Sequence, residues 1–535
     1  MASIEQAEEL VKTKQFAAAK RLCEQLKQRG SGDSRLDFLL GSIALFTNDF
    51  ERAKAVFAAL AVRNPNHSGV LNNLGTALLH TGGDPDEAQI LIERAIEIDH
   101  ANLPALINLG ELYLLRKRRD DARRIYSRIV ELAPDSAQGY HGLGLCALSI
   151  NDHEAALNWL EKARQRAPRH PSILSSLMLA TTQNRSHDKA IEIARLIAST
   201  PELEPQLPTA WAVLKRYCLW DEAAPLLPRV ISALTQDGVA PEHFTPIALE
   251  LLSSDQIDHS TLKELHMRCG DGLRLRNSGY AKEANTAAFT PGKRMRIGYL
   301  SGDFRNHVAS LFIRGVINHH DRSRFEIFLY SSAPVGAQDE TTGKFFRVAE
   351  HFVHCYEMDD GELARQIARD GIHVLVDMSG FTSHTRTPVL TLQPAPVQMT
   401  YIGYPATYGL HEVDYIICNR DLVGSDHASA FVEAPMELPG IYGISPSPPG
   451  VKRAARLPLA DNGFVTFGSL VNPYKINRST IALWSRVLSR VAGSRIYLNH
   501  PIYSCVATRN SMIDAFAQEG IAATRLTITD ERPAD

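Results

Sequence analysis

Leu40-Gly41, Leu74-Gly75, Leu109-Gly110 and Leu143-Gly144 recur in this 535-residue chain at spacings of 34, 35 and 34 residues, each inside an apolar helical pattern. A second register keeps the same step: Ala19, Ala53, Ala88, Ala122, Ala156 and Ala190 follow at 34, 35, 34, 34 and 34. Pro134 and Pro168 give a third at 34, with Pro65 close in phase. Such a period means one pair of helices per repeat, each pair stacking on the next. The glycine of the first helix and the alanine of the second are expected where the two cross closely. The proline is expected to start the next repeat, since it cannot continue a helix but suits a first turn. Asn48-Asp49-Phe50, Gly82-Gly83-Asp84 and Asn151-Asp152-His153 supply turns within the pairs.

This pattern is identified as the tetratricopeptide repeat, an α-α superhelix, with about six units over 1–235, the last two degenerate. Its groove is expected to take protein or peptide chains. The basic run Arg116-Lys117-Arg118-Arg119 with Arg123-Arg124 reads either as a solvated face offset by Asp120 and Asp121 or as a patch for an acidic partner.

Composition narrows the function. With 57 basic and 60 acidic side chains the net charge is −3, so nothing points to sequence-independent nucleic-acid binding. The amino-terminal residues are polar and acidic, and no apolar run approaches the roughly 18 residues of a membrane span. The seven cysteines are odd in number, scattered and never in a CxxC pair. They read as buried thiols rather than a disulfide framework or zinc site, which fits a cytoplasmic location.

After a helical 236–293 segment, Thr290-Pro291-Gly292-Lys293 punctuates the chain and the grammar changes. Strands are expected at 295–301, 325–330, 372–377, 397–402 and 413–417, alternating with helices at 308–319 and 360–370. That order implies a parallel sheet covered on both faces, with ligands beyond the strands' carboxyl ends. Gly302 to Ser310, Ser379 to Thr382 and Gly403 to Gly409 occupy those ends. None is a GxGxxG or Walker sequence, so dinucleotide and P-loop chemistry lack support. A second sheet is expected from 456, with strands at 464–467, 494–498 and 526–528 and a helix at 479–491. Lys475 precedes that helix at a strand's carboxyl end, where it is either a cation meeting phosphate oxygens or an exposed lysine.

Arg296-Ile-Gly-Tyr-Leu-Ser-Gly-Asp-Phe304 with Asn306-His307, Asp370 to Asp377, Pro394 to Gln398, Gly403-Tyr404-Pro405, Val413 to Ile416, and Gly463 to Ser469 with Tyr474-Lys475-Ile476 stand in an order that resembles the protein O-linked N-acetylglucosamine transferases and the related protein O-fucosyltransferases. The resemblance covers roughly 295–500 of the chain. It implies α/β GT-B glycosyltransferase lobes at 294–455 and 456–535, the second incomplete. It further implies inverting, metal-independent transfer of N-acetylglucosamine from UDP-GlcNAc to Ser or Thr of protein acceptors, with GDP-fucose, or a non-catalytic adaptor, as the alternatives. A homo-oligomer is compatible with it. His307, His243 and Lys475 correspond to catalytic positions, and Gly403, Pro405, Thr407, Asn472, Tyr474 and Lys475 to donor-binding ones. In-line displacement needs a held hydroxyl, a proton acceptor and a cation at the departing diphosphate. No Asp-x-Asp metal box is evident, so Lys475 and backbone amides are expected to supply the positive charge. His319, His320, His373 and His384 read as surface or packing residues.

The chain departs from the family pattern at Val308-Ala309, where Pro-Thr is usual, and at Leu470-Val471, where Phe-Asn is usual. A complete doubly wound lobe needs on the order of 150 residues. The resemblance therefore predicts a half-built donor pocket, impaired transfer and an open sheet edge near 496–528.

Overall fold

The computed structural model describes residues 3–30, 32–81, 84–116, 118–235, 244–280, 288–423, 430–440, 443 and 456–531. It divides into two compact units, Met1–Ala180 and Thr181–Asp535. Among the described residues no helix is long and apolar enough to cross a membrane.

The first unit is a run of antiparallel helix pairs, such as Ser34–Phe46 with Phe50–Arg63 and Leu103–Leu115 with Arg119–Leu132. The six periodic alanines are all fully buried. A methyl on Gly41, Gly75, Gly110 or Gly144 would lie 2.8, 2.8, 2.7 or 2.6 Å from Phe57, Ile92, Tyr126 or Leu160. Each of those side chains stands one turn after a periodic alanine, so the crossing is a glycine notch filled by a large residue. Tyr126 fills two notches, since a methyl on Gly142 would also meet its ring.

The within-pair turns agree with expectation where described. Asn48 and Asn151 take φ 59°, and Asp49, Asp84 and Asp152 cap the next helix through their side chains. Gly82 and Gly83 lie outside the described residues. The prolines correct the expectation: Pro65, Pro134 and Pro168 stand in the turns between repeats, ahead of helices that begin at Ser68, Ala137 and Pro171. Their fixed φ shapes the turn and not the helical start. The basic run is largely paired, Arg118 with Asp121 at 2.7 Å and Arg116 with Asp86 at 2.7 Å.

The second unit begins well before the sheets, taking in residues 181–235 that the repeat period assigns to the solenoid. Prolines at 201, 205, 208, 225 and 228 break the regular pairs into short and 3-10 helices. Trp211, Tyr217 and Trp220 are buried there. The Leu207–Arg216, Ala248–Leu252 and His259–Arg276 helices then lead to the sheets.

Seven parallel strands, β1 (Met295–Ser301), β2 (Phe325–Ser331), β3 (His351–His354), β4 (Val374–Asp377), β5 (Val397–Thr400), β6 (Tyr415–Cys418) and β7 (Ala434–Glu437), form a sheet ordered β3-β2-β1-β4-β5-β6-β7. The order reverses between β1 and β4, the topological switch point at which ligands of such sheets bind. β3 and β7 were not anticipated: both are short edges, one with histidine at each end and one containing Pro435, so neither shows an apolar run. A second sheet, β8 (Thr466–Ser469), β9 (Arg495–Asn499) and β10 (Leu526–Thr529), is parallel in the order β10-β9-β8.

Candidate functional site

At the switch point the loops after β1 and β4 are tied together. Gly302 N donates to Ser379 Oγ at 3.2 Å, and Asp303 N donates to Ser301 Oγ at 3.0 Å. Asp377, wholly buried at the end of β4, accepts from the amides of Ser379 and Gly380, each at 3.2 Å. Burial pushes its carboxyl up to about 6, although these amides and the Tyr408 and Thr387 hydroxyls hold it down. A methyl on Gly302 would lie 2.8 Å from His384, which places that histidine beside the switch point rather than on a remote surface.

His307 caps the Val308–Asn318 helix, its Nδ1 accepting from Ala309 N at 3.2 Å and standing 3.2 Å from Asp303 Oδ2. The ring is 44% exposed while Asp303 is buried. Burial raises the Asp303 carboxyl, against the pull of His307 and Arg305. Nδ1 thus carries both contacts of the ring, to the Ala309 amide and to the Asp303 carboxyl.

The loop after β5 is packed backbone on backbone. A methyl on Gly403 would fall 1.9 Å from the Met378 carbonyl oxygen, and Ile402, a β-branched residue, is held at φ 60° just before it. Pro405 is exposed. Thr407 is buried, its hydroxyl donating to Glu433 Oε2 at 2.7 Å, while Tyr408 N donates to Glu433 Oε1 at 2.7 Å. Thr407 therefore holds the loop's own shape. His266 Nε2 accepts from the Tyr404 hydroxyl at 2.7 Å and Nδ1 donates to the Leu262 carbonyl at 2.6 Å. Burial pulls this imidazole down to about 4, so it is neutral. Phe244 and Phe381 pack edge-on against it and the Tyr404 ring lies tilted beside it. His243 lies outside the described residues, although its neighbour Phe244 joins this cluster.

In the smaller sheet, Asn472, Tyr474 and Lys475 share the turn after β8. Asn472 Oδ1 accepts from Tyr474 N at 3.4 Å, and Lys475 is exposed, its Nζ 5.8 Å from the Tyr474 ring centre. Among the described residues Lys475 makes no ion pair, and it stands at a strand's carboxyl end as its position in the sequence implies.

The structure thus gathers His307, Gly403, Pro405 and Thr407 at the carboxyl ends of the larger sheet, and Asn472, Tyr474 and Lys475 at that of the smaller one. Sequence reasoning missed Asp303 and His266. Asp303 was visible as a carboxylate four residues before His307, close enough to reach back over a helix start. His266 carried no signal, because its partner is 138 residues away.

Residues 272–444, from the helix carrying His266 to the end of the larger sheet, match the family model described as glycosyl transferase family 41. In this region the chain is similar to the glycosyltransferases of family 41. Residues 38–104 and 102–169 match tetratricopeptide repeat models. The chain is 32% identical over 241 residues to a protein named probable UDP-N-acetylglucosamine–peptide N-acetylglucosaminyltransferase SPINDLY of Arabidopsis thaliana, covering 44% of this chain and 26% of that one. It is 38% identical over 156 residues to the UDP-N-acetylglucosamine–peptide N-acetylglucosaminyltransferase of Caenorhabditis elegans, covering 29% and 13%. The chain therefore spans about a quarter or less of the length of these relatives. Among solved structures, a mutant of the Thermobaculum terrenum O-GlcNAc transferase aligns with TM-score 0.55 and 22% identity over 81% of this chain and 75% of that one, a likeness of fold. The family 41 match ends before the Lys475 turn.

Proposed function

We propose that this protein is a protein O-glycosyltransferase, taking N-acetylglucosamine from UDP-GlcNAc to Ser or Thr hydroxyls of a polypeptide acceptor that its helical repeats deliver. The observation that carries the reading is the family 41 match over 272–444, whose loops converge on the β1/β4 switch point with His307 exposed beside a buried Asp303. In this reading His307 and His243 lie at the transferred sugar and acceptor hydroxyl. Lys475, with Asn472 and Tyr474 beside it, neutralises the departing diphosphate, while Gly403 and Pro405 border the donor. Among the described residues no carboxylate pairs with this exposed ammonium, which leaves it to that leaving group.

Calorimetry of the chain with UDP and with GDP, followed by acceptor labelling, tests this. UDP is expected to bind in preference to GDP, and Lys475→Ala to lower kcat/KM about 10²–10³-fold. Preference for GDP would move the reading to fucose transfer. Turnover unchanged in both Lys475→Ala and His307→Ala would overturn the site assignment.

A further inference from the structure

Lys215 lies in the last turn of the Leu207–Arg216 helix and is only 5% exposed. Its ammonium donates to Ser253 Oγ at 2.5 Å and stands 3.5 Å from the carbonyl oxygen of Tyr474, to which Ser253 Oγ donates at 2.8 Å. Beside it, Cys218 Sγ donates to the Pro473 carbonyl at 3.7 Å. The two carbonyls immediately before Lys475 are therefore fastened by side chains of the helical segment. Neighbouring ties run the same way: Asn477 Nδ2 to the Ser253 carbonyl at 3.5 Å, Ser479 Oγ to Asp255 at 2.5 Å and Arg478 to Asp221 at 2.7 Å.

Among the described residues the buried ammonium makes no ion pair. Glu250, the carboxylate that bears on it most, is already bound by Arg216 through Nε at 2.9 Å and Nη2 at 2.5 Å. Asp255 is engaged by Ser479, while Cys218 and the Trp211 ring, 6.0 Å away, complete the surroundings. An unpaired buried cation costs stability that an apolar side chain of equal length would not, and removing it leaves the Arg216–Glu250 pair whole. Retaining it calls for a use other than holding the fold together.

We propose that Lys215 is a positioning residue: with Ser253 it clamps the Pro473–Lys475 turn onto the helical segment, and so sets where Lys475 stands toward the donor's diphosphate. The second half of this statement rests on the donor role given to Lys475 above.

Hydrogen exchange on the full chain reads the clamp without any nucleotide. In Lys215→Met the thermal midpoint is expected to hold or rise, while exchange of the 472–477 amides rises about tenfold and that of β1 and β4 stays as it was. Ser253→Ala, which keeps the buried cation, should loosen the same amides, and the double variant should add little to either. UDP affinity should fall about tenfold in Lys215→Met, less than in Lys475→Ala. Unchanged exchange at 472–477 in both single variants would overturn the clamp. A loosened turn with undiminished UDP affinity, where Lys475→Ala does weaken UDP, would overturn its coupling to the donor. If Lys475→Ala has no effect on UDP, the donor reading itself fails and exchange alone decides the clamp. Should Lys215→Met not fold, Ser253→Ala carries the same measurement.

Discussion

The two sheets end in loops of comparable chemistry that are supported in different ways. Beyond the larger sheet, the loops brace one another: Ser301 and Ser379 tie β1 to β4, the Asp377 carboxylate holds the loop after β4, and Gly403 seats the β5 loop on the Met378 backbone. Beyond the smaller sheet, the turn bearing Lys475 is fixed from outside, by Lys215, Ser253 and Cys218. A seven-stranded sheet offers enough neighbouring strand ends to close a site on itself. With three strands, the helices beneath must supply the hold.

Glycine substitutions break this comparison most sharply. Gly403→Ala should cost about 3 kcal/mol or more in urea denaturation, since its methyl meets backbone and not a flexible side chain. A loss below about 1 kcal/mol would mean that the β5 loop is not seated as described.

The buried charges sharpen it through slopes of opposite sign. Asp377 titrates at about 6 when folded, against an ordinary value of 3.8. The folded protein therefore binds the extra proton between those values, and stability falls as pH rises through that window. Lys215 titrates at about 8 against an ordinary 10.5. Here the unfolded chain binds the extra proton, and stability rises as pH climbs from about 8 to about 10.5. Each slope amounts to roughly 3 kcal/mol across its window. Asp377→Asn should flatten the first alone and Lys215→Met the second alone, in denaturation series across pH.

A smaller effect is expected at the aromatic cluster. Tyr404→Phe leaves His266 Nε2 without its donor and should cost about 1–2 kcal/mol by thermal unfolding, with the His266 Nε2 resonance shifted in NMR while Nδ1, bound to the Leu262 carbonyl, keeps its proton. Smallest of all is Gly468→Ala in β8, where no atom lies within 4 Å of the added methyl. Its stability should stay within about 0.5 kcal/mol of wild type. A large loss there would show that the smaller sheet is as tightly closed as the larger.

The sequence was legible where the physics is local. A glycine every 34 or 35 residues marked four of the helix crossings, and strand-length apolar runs marked all but the two edge strands of the larger sheet. The large residue one turn after each periodic alanine was equally visible and completes the notch. The prolines misled because a residue barred from a helix interior suits an inter-repeat turn as well as a first turn. Thr407, aligned with donor-binding positions, proved to be engaged with Glu433, 26 residues away. Lys215 and His266 act across 259 and 138 residues, distances over which pattern carries no information. The repeats' end at 235 blurred for a related reason: Lys215 and Cys218 turn toward partners far along the chain while Tyr217 bonds His187 of the preceding helices, so the spacing of that segment answers to two packing surfaces at once.

His266 on one helix and Lys215 on another, with Arg216–Glu250 locked between their neighbours, make the Leu207–Arg216, Ala248–Leu252 and His259–Arg276 helices a common beam from which both walls of the proposed site are hung. A substitution that tilts this beam displaces both walls together. The placement of both loop sets can therefore be changed from positions that belong to neither.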